Sequence, residues 1–569
     1  MNIILVAINA KYIHSNLAVY SLKKYADVYG EKNCDIAIAE YTINQQIDEI
    51  LMDLYKKKPE IICFSCYIWN LMYVEELVKE IGKVLPDTAI WLGGPEVSYD
   101  SEQVLARLPA LTGVMIGEGE ATFLELLSAY QDEKYYDFSE IKGLSYYTEK
   151  GQIVTTPFRE VMDLSTIPFV YEDMKSFEHK IIYYETSRGC PFSCSYCLSS
   201  VEKKLRFRSM ELVKKELQFF LDQQVEQVKF VDRTFNCSHE RTIEIWNYLN
   251  AHDNGITNFH FEIAADLLKQ KEIDLIRGMR PGFIQLEIGV QSTNLQTIQA
   301  IRRTMNFSKV KSVVEAIHKI GNVHQHLDLI AGLPYEGYQS FGQSFNDVYS
   351  LHPEQLQLGF LKVLKGSYME QQKKTYGLIY KNHPPYEVLF TNWLSYEEMI
   401  KLKRIEEVVE VYYNSGQFQK TLELLETVFS TPFQFYESLS NYYEENAWFQ
   451  MGHSRVTRYE ILLEFTKIVD NERTAIYKEL LTYDLYLREN MKTRPQFAGE
   501  HNISKEELQL FYDREEKEHL YLKGYDGFDK RQLRKMTHVE RFVSSEKTIL
   551  FDYKNRNPLT NQAATFLLS

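Results

Sequence analysis

The sequence predicts an α/β protein in three parts: a doubly wound N-terminal domain, a partial (β/α)6 barrel and a helical C-terminal domain. Short apolar strand candidates alternate with amphipathic helical stretches as far as about residue 365, which is typical of parallel sheets covered by helices. After Pro384 and Pro385, Glu, Leu, Tyr and Lys recur at helical spacing and strand signals become few. The 569 residues, of which 44% are hydrophobic, suffice for several buried cores.

The doubly wound domain is expected at residues 1–135. Apolar runs at Asn2–Ile8 and Ile61–Cys66 predict buried parallel strands. Two further strand candidates end in glycine turns, Gly93-Gly94-Pro95-Glu96 and Gly117-Glu118-Gly119-Glu120. Because ligands of such sheets bind beyond the carboxyl ends of the strands, these turns predict the ligand-binding edge.

Residues 136–178 are predicted to form a connecting segment with a possible hairpin, and residues 179–385 the partial barrel. Six strand candidates separated by helical stretches indicate the barrel: Ile181–Thr186, Gln227–Val231, Asn258–Ile263, Phe283–Val290, His324–Ile330 and Gln355–Leu361. Active sites of parallel barrels lie at the C-terminal ends of the strands. Residues 386–569 are expected to be helical, and their basic stretch at Lys530–Arg556 is either a solvated helix face or a contact for an anionic substrate.

Charge and composition favour a cytoplasmic protein without a membrane partner. The 64 basic and 79 acidic residues give a net charge of −15, which disfavours non-specific binding to nucleic acid or to an anionic membrane. No apolar run approaches the roughly 20 residues that a membrane span needs, and no basic region precedes the first apolar stretch. Seven cysteines are too few for a disulfide scaffold in a chain of this length.

Three of these cysteines, Cys190, Cys194 and Cys197, lie within eight residues after the first barrel strand. Three thiolates at this spacing can hold one iron–sulfur cluster of four irons and leave one iron open to a further ligand. Cys237 is 40 residues further on and is not a nearby fourth ligand. The alternatives are structural zinc and an accidental grouping of cysteines, but structural zinc normally takes four protein ligands, and no His or Cys follows at zinc-finger spacing.

This cysteine motif, with the aromatic Tyr196 before its last cysteine, resembles that of the radical S-adenosylmethionine (radical SAM) superfamily. The resemblance covers residues 180–365 and implies a 4Fe-4S cluster that binds S-adenosyl-L-methionine (SAM) and cleaves it reductively to a 5′-deoxyadenosyl radical. Further motifs follow in the order that the superfamily has. Together with Tyr196 of the cysteine motif, they imply cofactor contacts at Asp232, Asn236, Glu262, Gln291, Ser292 and Arg303, with Arg302 as the alternative to Arg303. At the position of Arg233 the family often has Asp instead, so the resemblance assigns no role to Arg233.

The two glycine turns directly before such a barrel resemble the cobalamin-binding domain of B12-dependent radical SAM proteins. The resemblance implies that cobalamin contacts two earlier loops as well as both turns. The implied residues are Asn9, His14, Ser65, Cys66, Gly93, Gly94, Pro95, Glu96, Gly117, Glu118, Gly119 and Glu120. None of the 14 histidines has Asp two residues before it, so the lower face of cobalamin is expected to lack a His from an Asp-x-His-x-x-Gly motif. His14 remains open as a cobalt ligand, a polar contact or a loop histidine.

Strand alternation puts His324, His326 and Asp328 on one face of a barrel strand. If that face is the barrel interior, the two histidines are candidates for substrate contact or proton donation; packed, hydrogen-bonded histidines are the alternative.

The implied reaction is methylation of an unactivated carbon by a cobalamin-dependent radical SAM enzyme, with a flavodoxin or ferredoxin as electron donor. The substrate is unknown and can be a small molecule, a peptide or RNA. Two alternatives stay open. One is a reduction or rearrangement that uses cobalamin without methyl transfer, for example on an RNA base or a ring system. The other is a non-catalytic cobalamin-binding protein, which the intact set of three cysteines disfavours.

Overall fold

The computed structural model describes residues 1–30, 34–131 and 137–568. The expected boundary between residues 135 and 136 lies outside these ranges. In the described part of the chain, no helix is long and apolar enough to cross a membrane.

The N-terminal domain is a seven-stranded sheet of order β2-β1-β3-β4-β5-β6-β7, parallel through β5. Its strands are β1 Asn2–Asn9, β2 Asp35–Thr42, β3 Ile61–Ser65, β4 Ala89–Gly93, β5 Gly113–Met115, β6 Leu144–Tyr147 and β7 Ile153–Thr155. Its helices are α1 Leu17–Tyr29, α2 Ile47–Lys57, α3 Leu71–Val84, α4 Pro95–Ser98, α5 Ser101–Arg107 and α6 Glu120–Gln131. The hairpin β6–β7 comes from the expected connecting segment, and it extends the first sheet in antiparallel fashion.

The second region is an open barrel of six parallel strands in the order β15-β14-β13-β12-β11-β8. The strands of this region are β8 Ile182–Tyr184, β9 Ser187–Arg188, β10 Arg206–Phe207, β11 Gln227–Phe230, β12 Asn258–Ile263, β13 Ile284–Gln291, β14 His324–Ala331, β15 Gln355–Phe360, β16 Ile379–Tyr380 and β17 Val388–Phe390. The helices are α7 Met210–Asp222, α8 His239–Ala251, α9 Gln270–Arg277, α10 Leu295–Ala300, α11 Phe307–Ile320, α12 Tyr338–Tyr349 and α13 Tyr368–Gln371.

Side chains alternate along these strands between an apolar face under the helices and a polar lumen. In β13, for example, Leu286 and Ile288 are fully buried, while Glu287 on the opposite face is partly accessible. The pattern follows from the two-residue period of a strand, which sends successive side chains to opposite faces.

The C-terminal region is mainly helical, as predicted, but it ends in a sheet that was not predicted. The helices are α14 Tyr396–Val409, α15 Gln419–Leu425, α16 Pro432–Glu445, α17 Arg455–Val469, α18 Thr474–Arg488, α19 Lys505–Glu518 and α20 Lys530–Met536. An antiparallel sheet follows, with β18 Thr537–Phe542, β19 Lys547–Arg556 and β20 Ala563–Leu568. The expectation of a helix through the basic stretch is therefore wrong beyond Met536.

Two contacts tie the three regions together. Residues of the barrel and of α14–α18 share one hydrophobic cluster, so the helical region packs as part of the barrel core. The loop after β1 runs beside the start of β8, where the backbone N–H of Ile181 donates to the carbonyl of Ile13 at 2.8 Å. Ser15 Oγ also donates to the carbonyl of Ile181 at 3.1 Å. The N-terminal domain thus covers part of the open edge of the barrel.

Candidate functional site

The cysteine loop begins where β8 ends, and a short hairpin forms its stem. Arg188 of β9 pairs with Arg206 of β10 in antiparallel register, two residues before Cys190. Gly189 has φ +87°, and a Cβ there would lie 2.6 Å from the carbonyl oxygen of Lys204, so the stem closes only around a glycine.

Asp232 and Asn236, two predicted cofactor contacts, bind two different stretches of chain: Asp232 holds the residues just before the cysteine loop, and Asn236 holds the backbone after β12. The buried Asp232 carboxylate accepts hydrogen bonds from Thr186 N at 2.9 Å, Thr186 Oγ1 at 2.6 Å and Ser187 Oγ at 2.5 Å. Asn236 makes a paired hydrogen bond with the backbone of Ala264. Neither side chain lines the cavity described below.

The structure distinguishes between the two adjacent arginines. Arg303 Nη1 lies 3.6 Å from Cys194 Sγ and 3.2 Å from Tyr196 Oη, and its Nη2 donates to the carbonyl of Gly289. Arg302 points away, with its guanidinium 3.4 Å from the centre of the Tyr368 ring. Burial raises the pKa of the Cys194 thiol, and the charge of Arg303 opposes that rise. Of the two arginines, Arg303 is thus the one that lies beside the cysteine loop.

Several polar atoms near the cysteines are buried without a protein partner. Gln291 Oε1, Arg303 Nε and Ser195 Oγ belong to this group. Gln291 also has φ +71°, a conformation that residues other than glycine seldom adopt. Since buried polar groups normally have partners, these atoms fit a polar ligand held beside the cluster.

The remaining two predicted contacts of the barrel differ in their surroundings. Ser292 Oγ donates to Glu336 Oε1 at 2.6 Å and is buried. Glu262 faces the lumen, where burial raises the pKa of its carboxyl to about 7 despite the opposing charge of Arg233. Glu262 thus lies among the charged groups of the lumen, whereas Ser292 is hydrogen-bonded within the protein.

A cavity of about 830 Å³ lies between the N-terminal domain and the mouth of the barrel. Gly189 and Arg188 line it from the barrel side, directly beside Cys190. Ten of the residues predicted to contact cobalamin line the other side: Asn9, His14, Ser65, Gly93, Gly94, Pro95, Gly117, Glu118, Gly119 and Glu120. The cavity is near the upper end of the size range of small-molecule sites.

Two predicted contacts, Cys66 and Glu96, do not line the cavity. Cys66 is fully buried, and burial raises the pKa of its thiol. Glu96 is 2% exposed and lies near Tyr386 and Lys365 at the end of the barrel, and burial raises the pKa of its carboxyl. Cys66 directly follows Ser65, and Glu96 directly follows Pro95, both of which line the cavity. The backbone turns at these positions, so the side chains of Cys66 and Glu96 point away from the cavity.

The loop after β1 is held by hydrogen bonds that involve its predicted residues. Asn9 Nδ2 donates to the carbonyl of His14 and to Glu40, each at 3.0 Å. His14 Nδ1 lies 2.6 Å from Tyr183 Oη of β8, and burial and nearby lysines lower the pKa of His14. Asn16 Nδ2 donates to Ser65 Oγ at 2.8 Å. This loop thus joins the cavity wall to the first strand of the barrel.

Several cavity residues were not predicted from the sequence, among them Trp69, Tyr99, Tyr183 and Arg188. Tyr67, which belongs to the predicted loop segment Ser65-Cys66-Tyr67, lines the cavity and stacks on Trp69 with ring centres 4.4 Å apart. Trp69 follows that segment by two residues, so its place after a strand was an available signal. The direction of Arg188 depends on partners in the other domain and has no local signal.

The barrel lumen below the cysteine loop carries a second group of titratable residues. Glu287 Oε2 accepts from Lys229 Nζ and lies next to His260 Nε2, each at 3.0 Å. Burial opposes ionisation of Glu287, but these two partners bring its pKa to about 2.

The predicted histidines of β14 also face this lumen. His326 Nε2 lies 3.0 Å from Asp328 Oδ1, in a geometry that leaves both atoms without a well-formed hydrogen bond. Burial opposes protonation of His326, but Asp328 raises its pKa; burial and two neighbouring histidines lower the pKa of His324 to about 4. The lumen therefore offers both a neutral and a readily protonated imidazole.

Comparison with known families agrees with this architecture. The model of the B12 binding domain matches residues 3–127, and that of the radical SAM superfamily matches residues 184–348. Residues 374–560 match a family of unknown function (DUF4080). The chain thus carries a match to a B12 binding domain followed by a match to a radical SAM domain.

The cobalamin-dependent radical SAM methyltransferase TokK of Streptomyces tokunonensis is 25% identical over 309 residues, which are 50% of this chain and 44% of TokK. The anaerobic magnesium-protoporphyrin IX monomethyl ester cyclase of Rubrivivax gelatinosus is 23% identical over 323 residues, 54% of this chain and 57% of the cyclase. The match thus spans about half the length of these relatives. The structure of the cobalamin-dependent SAM radical enzyme OxsB with aqua-cobalamin superposes with a TM-score of 0.59 at 16% identity, covering 85% of this chain and 79% of OxsB.

Proposed function

We propose that this chain is a cobalamin-dependent radical SAM methyltransferase that acts on an unactivated carbon. The observation that carries the proposal is that the cysteine loop and the glycine turns border the same cavity, through Arg188 and Gly189 on one side and Gly94 and Gly117 on the other. Methyl transfer to a carbon radical needs both cofactors beside one substrate, because a radical exposed to water or to other protein groups is lost.

The residues of the chain have separate tasks in this proposal. When bound, the cluster and cobalamin supply reductive SAM cleavage and methyl transfer, respectively. Cys190, Cys194 and Cys197 hold the cluster, and Arg303 pairs with the carboxylate of SAM. The unpartnered Gln291 Oε1 and the lumen carboxyl of Glu262 accept hydrogen bonds from its polar groups.

The substrate site is proposed in the barrel lumen. His324 and His326 lie there with water-accessible neighbours, since the side chains of Lys229 and Glu287 keep 27% and 23% of their area exposed. Two imidazoles of different pKa suit contact with a polar substrate group and donation of a proton to it. A flavodoxin or ferredoxin in the cytoplasm is the proposed electron donor.

The first test is the iron, sulfide and cobalt content of protein purified without oxygen and supplied with hydroxocobalamin. We expect about four irons per chain, as a single cubane cluster requires, together with one cobalt. A matched Cys194→Ser variant should lose the iron and keep the cobalt, because Cys194 does not line the cobalamin cavity. Iron without cobalt in the wild-type protein would overturn the cobalamin assignment.

A second candidate is cobalamin-assisted chemistry without methyl transfer, which the similarity to the Rubrivivax cyclase favours. SAM labelled in its methyl group separates the two. Methyl transfer puts the label and one additional CH₂ in the product, whereas a reduction or rearrangement leaves the product unlabelled. If reduced protein with a full cluster does not cleave SAM, a non-catalytic cobalamin-binding role replaces both.

A further inference from the structure

The stem of the cysteine loop contains two like charges directly opposite one another. Arg188 and Arg206 are cross-strand partners in the β9–β10 pair. Like charges at such positions repel and destabilise the pair. A two-residue ladder has little else to hold it together, so the stem requires a counter-charge from outside.

Two of the three carboxylates that supply this counter-charge belong to the N-terminal domain, and the third is Glu185 of the barrel. Glu118 Oε1 lies 2.6 Å from Arg206 Nη2 and 3.4 Å from Arg188 Nη1, so one carboxylate bridges both arginines. Glu120 Oε1 accepts from Arg188 Nη2 at 2.6 Å, and Glu185 accepts from Arg188 Nε at 2.9 Å. The arginines of the barrel domain are thus held by two carboxylates of the turn after β5.

These ion pairs are shielded from water, so the loss of one partner is more disruptive than it is at an exposed pair. The side chains of Arg188 and Glu118 are 19% exposed, that of Arg206 is 11% exposed and that of Glu120 is 5% exposed. Burial alone would raise the pKa of Glu120, yet Arg188 brings it below its usual value. Removing one partner of such a pair leaves an uncompensated buried charge, which is far more disruptive than losing a surface pair.

We propose that Glu118 and Glu120 are positioning residues for the cysteine loop, so the N-terminal domain completes the site that holds the iron–sulfur cluster. On the premise of the proposed function, Glu118 and Glu120, which the sequence predicted as cobalamin contacts, have this positioning role in addition. Both carboxylates and Arg188 also line the cavity. A molecule bound in the cavity therefore contacts the same ion pairs that set the conformation of the loop, which links the two cofactor sites.

The test compares Glu118→Gln and Glu120→Gln with the wild-type protein after anaerobic reconstitution of the cluster. We expect each variant to retain less than about half of the roughly four irons of a full cluster and to show an altered electron paramagnetic resonance signal when reduced. The matched control is Glu125→Gln on α6, because Glu125 pairs with Arg159 outside the loop and is 46% exposed. It should retain the wild-type iron content. Wild-type iron in both variants would overturn the inference.

A second variant separates positioning from a general loss of stability. If Glu118 acts by neutralising the two arginines, adding Arg206→Gln to Glu118→Gln removes the repulsion and should restore iron retention toward the wild-type level. If Glu118 only stabilises the fold, the double variant should retain even less iron than Glu118→Gln, which would contradict the inference. A wild-type protein without iron would instead contradict the proposed function, so the two failures are distinguishable.

Discussion

At the scale of single residues, Arg302 and Arg303 are adjacent in the sequence but have different surroundings. The sequence offered both Arg302 and Arg303 as the SAM-contacting arginine. Arg302 has φ +54°, and this left-handed turn directs it outward onto Tyr368, while Arg303 reaches the buried Cys194 and Tyr196. The choice depends on one backbone dihedral angle, which a sequence pattern does not report.

Substituting each arginine by lysine tests this assignment. Arg303→Lys keeps the charge but loses the planar fork, so we expect SAM to bind about tenfold more weakly, which corresponds to about 1.4 kcal/mol. Arg302→Lys is the matched control and should change the affinity less than about twofold, since its exposed ring contact is outside the site. Equilibrium binding of SAM to the reconstituted protein measures both; equal losses would contradict the assignment.

Glu262 gives a residue-scale prediction about pH. Burial raises the pKa of its carboxyl from 4.5 to about 7 in the folded protein. Because the folded state binds this proton more tightly than the unfolded chain, the stabilising contribution is fully present below about pH 4.5 and is lost as the pH rises through about 7. Glu262→Gln stays neutral, so the wild-type protein should lose thermal stability relative to this variant between about pH 5 and pH 8.

Thermal unfolding of the cofactor-free proteins across that range is the measurement. Glu240→Gln, an exposed carboxylate on α8, serves as control and should follow the wild-type profile. A constant difference between Glu262→Gln and the wild type at every pH would show that the lumen carboxyl is ionised throughout.

At the scale of elements, α12 of the barrel and α16 of the helical region make one of the close contacts between these two regions. Gly342 of α12 faces Phe433 of α16, and a Cβ at this glycine would lie 2.7 Å from the Phe433 ring. Phe433 also packs edge-on against Phe345, with ring centres 5.6 Å apart. The absence of a side chain at Gly342 sets how near the two helices lie.

Gly342→Ala should therefore destabilise the protein, although alanine is normally favoured over glycine inside a helix by about 1 kcal/mol. The overlap with an aromatic ring outweighs that gain, and we expect a net loss of about 1–2 kcal/mol in the free energy of unfolding. Chemical denaturation measures it. Gly452→Ala, where no atom lies within 4 Å of the added Cβ, should be neutral. Combining Gly342→Ala with Phe433→Leu should recover part of the loss.

At the scale of the whole molecule, the sequence predicted what depends on local signals. The alternating strands and helices, the three cysteines and the two glycine turns are such signals, and the predicted α/β fold class is confirmed. The C-terminal sheet was missed because β18 carries the mixed sequence Thr-His-Val-Glu-Arg-Phe, whose alternation is weak. Glu118, which was expected to contact a ligand, lines the cavity and also holds two arginines that lie 70 and 88 residues further on. Partners so distant in sequence are fixed only by the packing of the domains.

The pairing of the loop after β1 with the start of β8 has a consequence for biosynthesis. An unpaired edge strand exposes N–H and C=O groups that can recruit a second chain. A ribosome releases the N-terminal domain first, and domains generally fold as units in the order of synthesis. When the residues of β8 leave the ribosome, the N-terminal domain has already been synthesised. The carbonyl of Ile13 can then accept the hydrogen bond from the backbone N–H of Ile181. The first domain thereby covers this edge of the second with backbone and side-chain hydrogen bonds to Ile181.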